Sequence, residues 1–265
     1  MKPTKLIGTK PGGQGKTLAA QLLALGHRVL KDPLETAAVD VSPMSGRRSK
    51  LGRLWPETRE FAISADFSKI MKSSAAAIEH FDELGARLLR GGVIVDLGAN
   101  VLPSVLDWAD RTDPWQSQNE VAPIWLIVPS TSQHDALEAA KYSLNLSQAL
   151  DFDRRILLLN MVHGSPDWSP NAPIHRLRWL EEHGKIEAVR LLKCESKLLP
   201  LLEAKSMPIH AALKMSDEQA SREFGLGLDE TIIGLELLRK WVFHQLKTFQ
   251  AARLLPAGRF SGKKD

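Results

Sequence analysis

The feature that most constrains this chain is a glycine-rich turn between an apolar, strand-like segment and a helical one. Residues 5–9 read KLIGT, three glycines follow at Gly12, Gly13 and Gly15, and the helical stretch TLAAQLLAL begins directly after Lys16. Glycine lets the backbone curl until its N–H groups converge, and the positive end of the following helix adds to them. We therefore expect Gly12–Thr17 to bind the phosphates of a nucleoside triphosphate; the alternative is a plain turn without a ligand.

Short apolar runs alternate with longer helical patterns along the rest of the chain. This alternation predicts an α/β fold in which helices cover both faces of a mostly parallel sheet, in three layers. The predicted strands are Lys5–Thr9, Ala37–Val41, Gly92–Asp96, Ile124–Pro129, Ile156–Asn160 and Ala188–Leu192. The predicted helices are Lys16–Leu25, Phe67–Leu89, Ser132–Leu150, Ile174–His183, Ser196–Ala204 and Asp229–Leu246, and Val41–Ala62 is predicted to be a turn-rich loop.

Length and composition favour one domain in a reducing compartment. A chain of 265 residues that is 43% hydrophobic suits a single domain, which we place at 1–255, followed by a basic, disordered tail at 256–265. A single cysteine excludes an internal disulfide framework. The sequence has neither a signal-peptide pattern nor about twenty consecutive apolar residues, so we expect a cytoplasmic protein. A net charge of +4 is compatible with acidic partners such as nucleic acid.

The phosphate-binding segment departs from the usual motif G-x-x-x-x-G-K-S/T at its first glycine, which is Lys10 here. With two adjacent glycines and Gly-Lys-Thr behind it, the segment resembles the deviant Walker A motif, KGGxGKT, of the ParA/MinD family of partition and positioning ATPases. Further segments are similar to that family in order and spacing. They are Ala38–Pro43 (switch segment), Val93–Gly98 (Walker B strand), Ile124–Pro129 (the next core strand), Leu157–Asn160 (the strand that ends at the base) and Leu202–Ala204 with Met207–Ile209 (the stretch that closes the base pocket).

The resemblance implies a P-loop fold that binds ATP and Mg²⁺, with a defined role for each matched residue. The residues around the phosphates would be Gly12, Gly13, Gln14, Gly15, Lys16 and Thr17, with Asn160 and Pro208 at the base, Thr17 and Asp96 at the magnesium ion, and Lys16, Asp40 and Lys10 in catalysis. From the residues alone, Asp96 also suits a helix cap and Asn160 suits a turn.

Two positions differ from the family pattern. The family's signature lysine directly precedes the paired glycines and reaches the partner's nucleotide across a dimer interface, whereas this chain has Pro11 there and its lysine, Lys10, one position earlier. In the switch segment the family's second aspartate is replaced by Ser42. A serine hydroxyl is a far poorer proton acceptor than a carboxylate at neutral pH, so we predict slow hydrolysis.

Two surfaces suggest macromolecular partners. Arg47, Arg48, Lys50 and Arg53 cluster within the predicted loop, where they would bind a DNA backbone or remain a solvated loop. The last helix mixes aromatic and basic residues, a pattern that we assign to packing on the sheet rather than to a membrane surface.

These observations favour three functions, in decreasing order. The first is a ParA-like ATP-dependent switch with weak ATPase activity, which associates with itself, with DNA or with an adaptor protein in plasmid or chromosome partition, positioning or conjugation. The second is a degenerate relative that binds nucleotide with little hydrolysis and acts as a regulator or scaffold. The third is a metabolic phosphoryl-transfer enzyme, for which the sequence offers no acceptor site.

Overall fold

The computed structural model describes residues 1–41, 48–63, 83–112, 121–167, 169 and 171–260. Within these residues the strands form a seven-stranded, entirely parallel sheet in the order β3-β2-β4-β1-β5-β6-β7. The strands are β1 Thr4–Ile7, β2 Glu35–Val41, β3 Arg59–Ile63, β4 Val93–Leu97, β5 Ile124–Thr131, β6 Arg154–Asn160 and β7 Glu187–Leu191. The predicted parallel α/β fold is confirmed.

Helices cover both faces of this sheet. They are α1 Lys16–Val29, α2 Lys50–Leu54, α3 at 83–90, α4 Val101–Thr112, α5 His134–Leu146, α6 Pro173–Glu182, α7 Leu198–Ala204, α8 Ile209–Ala212, α9 Asp217–Phe224 and α10 Leu228–Ala251. Apolar side chains of α3 to α6 belong to one buried cluster, and those of α1, α2 and α7 to α10 belong to another. The sheet therefore separates two hydrophobic cores.

The central strands contribute side chains to both cores, which explains their continuous apolar sequence. In β1, Leu6 belongs to one cluster and Ile7 to the other; in β4, Val93 and Val95 lie on the first side and Ile94 on the second. Successive side chains of a strand point to opposite faces, so a strand covered on both faces must be apolar throughout.

The strand order also fixes where a ligand can lie. Strand β1 is at the centre of the sheet, between β4 and β5, and the chain crosses it to join these two strands. Ligands of open parallel sheets bind beyond the carboxyl ends of the strands, where the direction of the connections reverses. The segment that follows β1 and the ends of β2, β4, β5 and β6 meet at this edge.

The structure differs from the predicted elements mainly in residues 41–63. The segment predicted to be a loop contains helix α2 and the edge strand β3, which pairs with β2. Ser49 caps α2, since its Oγ accepts a hydrogen bond from the Gly52 amide at 2.9 Å. Both elements are short, and β3 begins with the charged pair Arg59-Glu60, so neither has a clear periodic pattern.

Helices α4, α8 and α9 were also missed from the sequence. Helix α4 contains Pro103 in its first turn, where proline is tolerated because the first amides of a helix have no intrahelical acceptor. The predicted helix Phe67–Leu89 lies largely outside the described residues, and its described part is helical at 83–90.

Residues 256–260, the described part of the predicted tail, make contacts with α10. The side-chain amide of Gln250 donates hydrogen bonds to the Pro256 and Gly258 carbonyls, both at 2.9 Å, and the rings of Phe243 and Phe260 lie 6.5 Å apart. These contacts hold the segment against α10, while residues 261–265 lie outside the described part. None of the helices in the described residues is both long and apolar enough to span a bilayer.

Candidate functional site

The loop between β1 and α1 adopts a conformation that requires glycine at two positions. Gly13 has a φ of 73° and Gly15 a φ of 94°, both in the left-handed region that side chains disfavour. A Cβ atom on Gly15 would also lie 2.7 Å from Nδ2 of Asn160. Gly15 precedes the first turn of α1 and has no side chain to cap its amides, which leaves the positive end of the helix at the loop.

Two amide side chains hold this loop against the ends of β5 and β6. Gln14 donates from Nε2 to the Gly12 carbonyl at 2.9 Å, and its Oε1 accepts a hydrogen bond from the Thr131 amide at 2.8 Å. Asn160 donates from Nδ2 to the Gln14 carbonyl at 3.2 Å. Both side chains are buried, so these hydrogen bonds fix the shape of the loop.

Lys16 lies buried at the start of α1, with its ammonium group turned back to the loop. Its Nζ donates to the Pro11 carbonyl at 2.8 Å and to the Thr9 carbonyl at 3.4 Å. Burial lowers the pKa of Lys16, while the nearby carboxylates of Asp96 and Asp40 act in the opposite direction. An anion in the loop would offer this desolvated cation a stronger partner than a neutral carbonyl.

Thr17 and Asp96 form the second part of the site. The Thr17 hydroxyl donates to Oδ2 of Asp96 at 2.7 Å, which joins the first turn of α1 to β4. Asp96 is 7% exposed, and burial raises its pKa to about 6 against the opposing effect of the Thr17 hydrogen bond. A cation beside this carboxylate would offset its burial.

The donor set fits magnesium held mainly by phosphate. Mg²⁺ takes oxygen ligands, and in phosphate-binding sites it usually has one or two protein oxygens together with phosphates and water. The Thr17 hydroxyl and the Asp96 carboxylate supply such oxygens. Among the described residues no cluster of three or more His, Cys, Asp or Glu side chains could hold a metal ion.

Two cavities that share lining residues lie around these residues. The larger, of about 370 Å³, extends from the loop to the end of β7 and to helices α7 and α10; the smaller, of about 170 Å³, lies between the loop and the ends of β2 and β4. Lys16, Thr17 and Lys50 line both cavities. The volume of the larger cavity is typical of a site for a small-molecule ligand.

The smaller cavity brings together the ends of β2 and β4. Asp40 and Asp96 both line it. The Gly98 amide donates to the Val39 carbonyl at 2.7 Å, and a Cβ atom on Gly98 would lie 2.4 Å from Oδ1 of Asp40. The structure thus places Asp40, which is predicted to act in catalysis, beside Asp96, which is predicted to bind the metal ion.

The far wall of the larger cavity was mostly missed from the sequence. It includes Leu192, Cys194, Leu199, Pro200, Glu203 and Trp241. Indole N–H of Trp241 donates to the Leu192 carbonyl at 2.8 Å, which fixes α10 at the end of β7. Glu203 belongs to the stretch that resembles the family's base pocket. Pro208, from the same stretch, precedes α8 and is not one of the described residues that line either cavity.

Lys10 and Lys50 differ in their position relative to the two cavities. Lys10 is exposed and is not among the described residues that line the two cavities; its carbonyl accepts a hydrogen bond from the Asn100 amide at 3.1 Å. Lys50, which the sequence placed in a DNA-binding cluster, lines both cavities instead. Lys50, on α2 of the same chain, thus lines both cavities together with Lys16.

The remaining basic residues of that cluster make contacts within the chain. Arg48 donates to the carbonyls of Pro56 and Thr58, both at 3.0 Å. Arg53 donates to the Arg48 carbonyl at 2.9 Å. These hydrogen bonds hold the segment around α2, and the proposed DNA contact stays a prediction. Ser42 and Arg47 lie outside the described residues.

Comparison with known proteins gives structural neighbours at low identity. No family model matches the sequence, and no curated protein matches it. Similar solved structures include an ATP complex of a McdA variant from Cyanothece (15% identity, 97% of this chain and 99% of that chain covered, TM-score 0.49). They also include the MinC:MinD cell division complex of Aquifex aeolicus (14%, 97% and 98%, TM-score 0.46) and its MinD protein (12%, 87% and 95%, TM-score 0.43). The fold is defined by the strand order and the phosphate loop described above.

Proposed function

We propose that this chain is an ATP-binding switch protein of the ParA/MinD type that binds Mg²⁺ with the nucleotide and hydrolyses ATP slowly. The observation that carries the proposal is the hydrogen bond between Thr17 and Asp96 beside the buried Lys16. It places a hydroxyl, a carboxylate and an ammonium group at the positive end of α1, where each has a role in holding a metal-bound triphosphate.

The chemistry follows from these three groups. Lys16 would exchange the Pro11 carbonyl for phosphate oxygens, with which its charge interacts more strongly. A magnesium ion held by Thr17 and Asp96 would neutralise charge on the phosphates and keep Asp96 ionised. The base would lie in the larger cavity, near Asn160 and Trp241.

The switch would act through the ends of β2 and β4. Asp40 and Gly98 line the smaller cavity, so a triphosphate contacts a region that a diphosphate leaves empty. The segment after Asp40 would then change with the nucleotide and alter binding to a second copy, to DNA or to an adaptor protein. Partition or positioning of cellular cargo, including a role in conjugation, is the proposed setting.

A nucleotide-binding regulator with little hydrolysis is the second candidate. The observations in its favour are Pro11, which occupies the position of the family's signature lysine, and Ser42, which replaces the family's second aspartate. Both candidates require ATP binding, and turnover separates them: a measurable Mg²⁺-dependent rate supports the switch, and none supports the regulator.

Calorimetric binding of ATP and ADP with Mg²⁺, alongside turnover, tests the proposal. Lys16→Ala should weaken ATP binding at least about tenfold, since it removes a charge-assisted contact. Lys185→Ala, at an exposed lysine after α6, is the control and should bind as the wild type does. Absence of ATP binding by the wild type at millimolar concentration would refute the proposal.

A further inference from the structure

We propose that Lys50 is a nucleotide-contacting residue that distinguishes a triphosphate from a diphosphate, and that Glu203 competes with the nucleotide for it. The proposal rests on the proposed function, because it assumes that the two cavities hold a nucleotide. It assigns a role to a lysine that no matched motif contains and that the sequence pattern had placed in a DNA-binding cluster.

Lys50 is the first residue of α2, and it lines both cavities together with Lys16 and Thr17. The preceding residue, Ser49, also lines the smaller cavity, so the start of α2 forms part of its wall. A cation at the junction of the two cavities is suited to phosphate oxygens beyond those held by the loop.

The electrostatics of the smaller cavity support this placement. Asp40 and Asp96 both line it, and the charge of Lys50 acts on Asp96 in the direction that favours the carboxylate. A terminal phosphate would add negative charge beside two carboxylates. Lys16 would also contact the phosphates nearer the loop. A second lysine would therefore offset the repulsion between the terminal phosphate and the two carboxylates, which arises only when that phosphate is present.

The ion pair of Lys50 is weak enough to be exchanged. Its Nζ lies 3.7 Å from Oε1 of Glu203 on α7, and both side chains are 51% exposed. Exposed pairs of this kind contribute little to stability. Glu203 itself lines the larger cavity, so the contact between Lys50 and Glu203 spans α2 and α7 at the entrance to the site.

The exchange of Glu203 for a terminal phosphate as the partner of Lys50 would make the contact between α2 and α7 depend on the bound nucleotide. Without a terminal phosphate, Lys50 pairs with Glu203 and joins α2 to α7. With a triphosphate, Lys50 contacts the phosphate and Glu203 is released. Because α2 follows the switch segment after β2, the state of this contact would accompany any change in that segment.

The test compares affinities for ADP and for a non-hydrolysable ATP analogue, both with Mg²⁺, in Lys50→Met and Lys193→Met. Lys193 is a matched control: its side chain is also 51% exposed, it pairs with Glu195 at 3.2 Å, and it lines the larger cavity. Lys50→Met should weaken analogue binding about tenfold and change ADP binding less than about twofold. Lys193→Met should change both affinities by the same factor.

A third variant tests the competition. Glu203→Gln removes the charge that holds Lys50 and should strengthen analogue binding about threefold, with no such gain in the Lys50→Met background. Equal losses of ADP and analogue affinity in Lys50→Met would overturn the proposal, as would equal effects of the two lysine variants. If the wild type binds neither ligand, the proposed function fails first, and that result is distinct from a selective loss in one variant.

Discussion

Replacing Lys5 with methionine should stabilise the protein in a pH-dependent manner. Lys5 lies in β1 and is 1% exposed, its ammonium group contacts Nε2 of His27, and it lies 5.3 Å from the centroid of the Trp125 ring. Burial lowers the pKa of Lys5 from 10.5 to about 7; Asp32 acts against this shift and Arg154 adds to it. Methionine of similar length would remove a group that the core disfavours when charged.

The sign of the effect follows from the direction of the shift. Since the pKa of Lys5 is lower in the folded protein, the unfolded chain binds more protons between pH 7 and 10.5, and stability rises with pH across that window. The shift corresponds to an upper limit of about 4 kcal/mol at pH 7 and about 2 kcal/mol at pH 9. Loss of the partner of His27 costs about 1 kcal/mol. Lys5→Met should therefore gain about 3 kcal/mol at pH 7 and about 1 kcal/mol at pH 9.

Urea unfolding of both proteins at pH 7, 8 and 9, without nucleotide, measures this difference. Titrating groups remote from Lys5 are common to the two proteins and cancel in the comparison. Burial, with the charge of Lys5, lowers the pKa of His27 to about 4, well below this pH range. Lys185→Met, at an exposed lysine, should show a difference from the wild type that does not change with pH. A destabilising effect of the buried Lys5 charge is refuted if Lys5→Met differs from the wild type by the same free energy of unfolding at all three pH values, or if Lys5→Met is less stable at pH 7.

Two further substitutions test the phosphate loop and the metal ligands. Gly15→Ala should lower the free energy of unfolding by about 1–3 kcal/mol and abolish nucleotide binding, since the residue has a φ of 94° and its new Cβ would lie 2.7 Å from Asn160. Thermal unfolding checks the change in stability. The control is Gly227→Ala, at an open position with a φ of −58°. Asp96→Asn should make ATP affinity insensitive to EDTA, because a neutral amide is a poor magnesium ligand; a retained dependence on Mg²⁺ would contradict the assignment of Asp96.

The residues of the site that could be predicted are those whose side-chain chemistry and local sequence pattern indicate the same role. Gly15, Lys16 and Thr17 are adjacent in sequence, and their spacing alone indicates a phosphate loop. Asp96 and Asn160 end apolar strands, and parallel strands end at one edge of a sheet. Their meeting place therefore followed from the strand pattern.

The parts that were missed depend on packing between distant segments. Trp241 reaches the cavity because α10 crosses the end of β7. The sequence pattern of α10 indicates that one face is buried, but it does not identify the segment on which that face packs. The sequence around Lys50 indicates a DNA-binding cluster or a solvated loop, because α2 is too short for a periodic pattern. The resemblance implies Pro208 at the base, and Pro200 on α7 is a further proline that lines the cavity. Such positions depend on how helices pack after the strands have formed.

The hydrogen bond between Trp241 and the Leu192 carbonyl affects how the site is assembled during synthesis. The phosphate loop leaves the ribosome well before one wall of the larger cavity, because that wall is supplied by a residue more than two hundred positions later. A growing chain therefore carries its binding motif long before it carries a complete binding site. Because a ligand stabilises only the state that it binds, nucleotide would select finished molecules and give little support to partly synthesised ones.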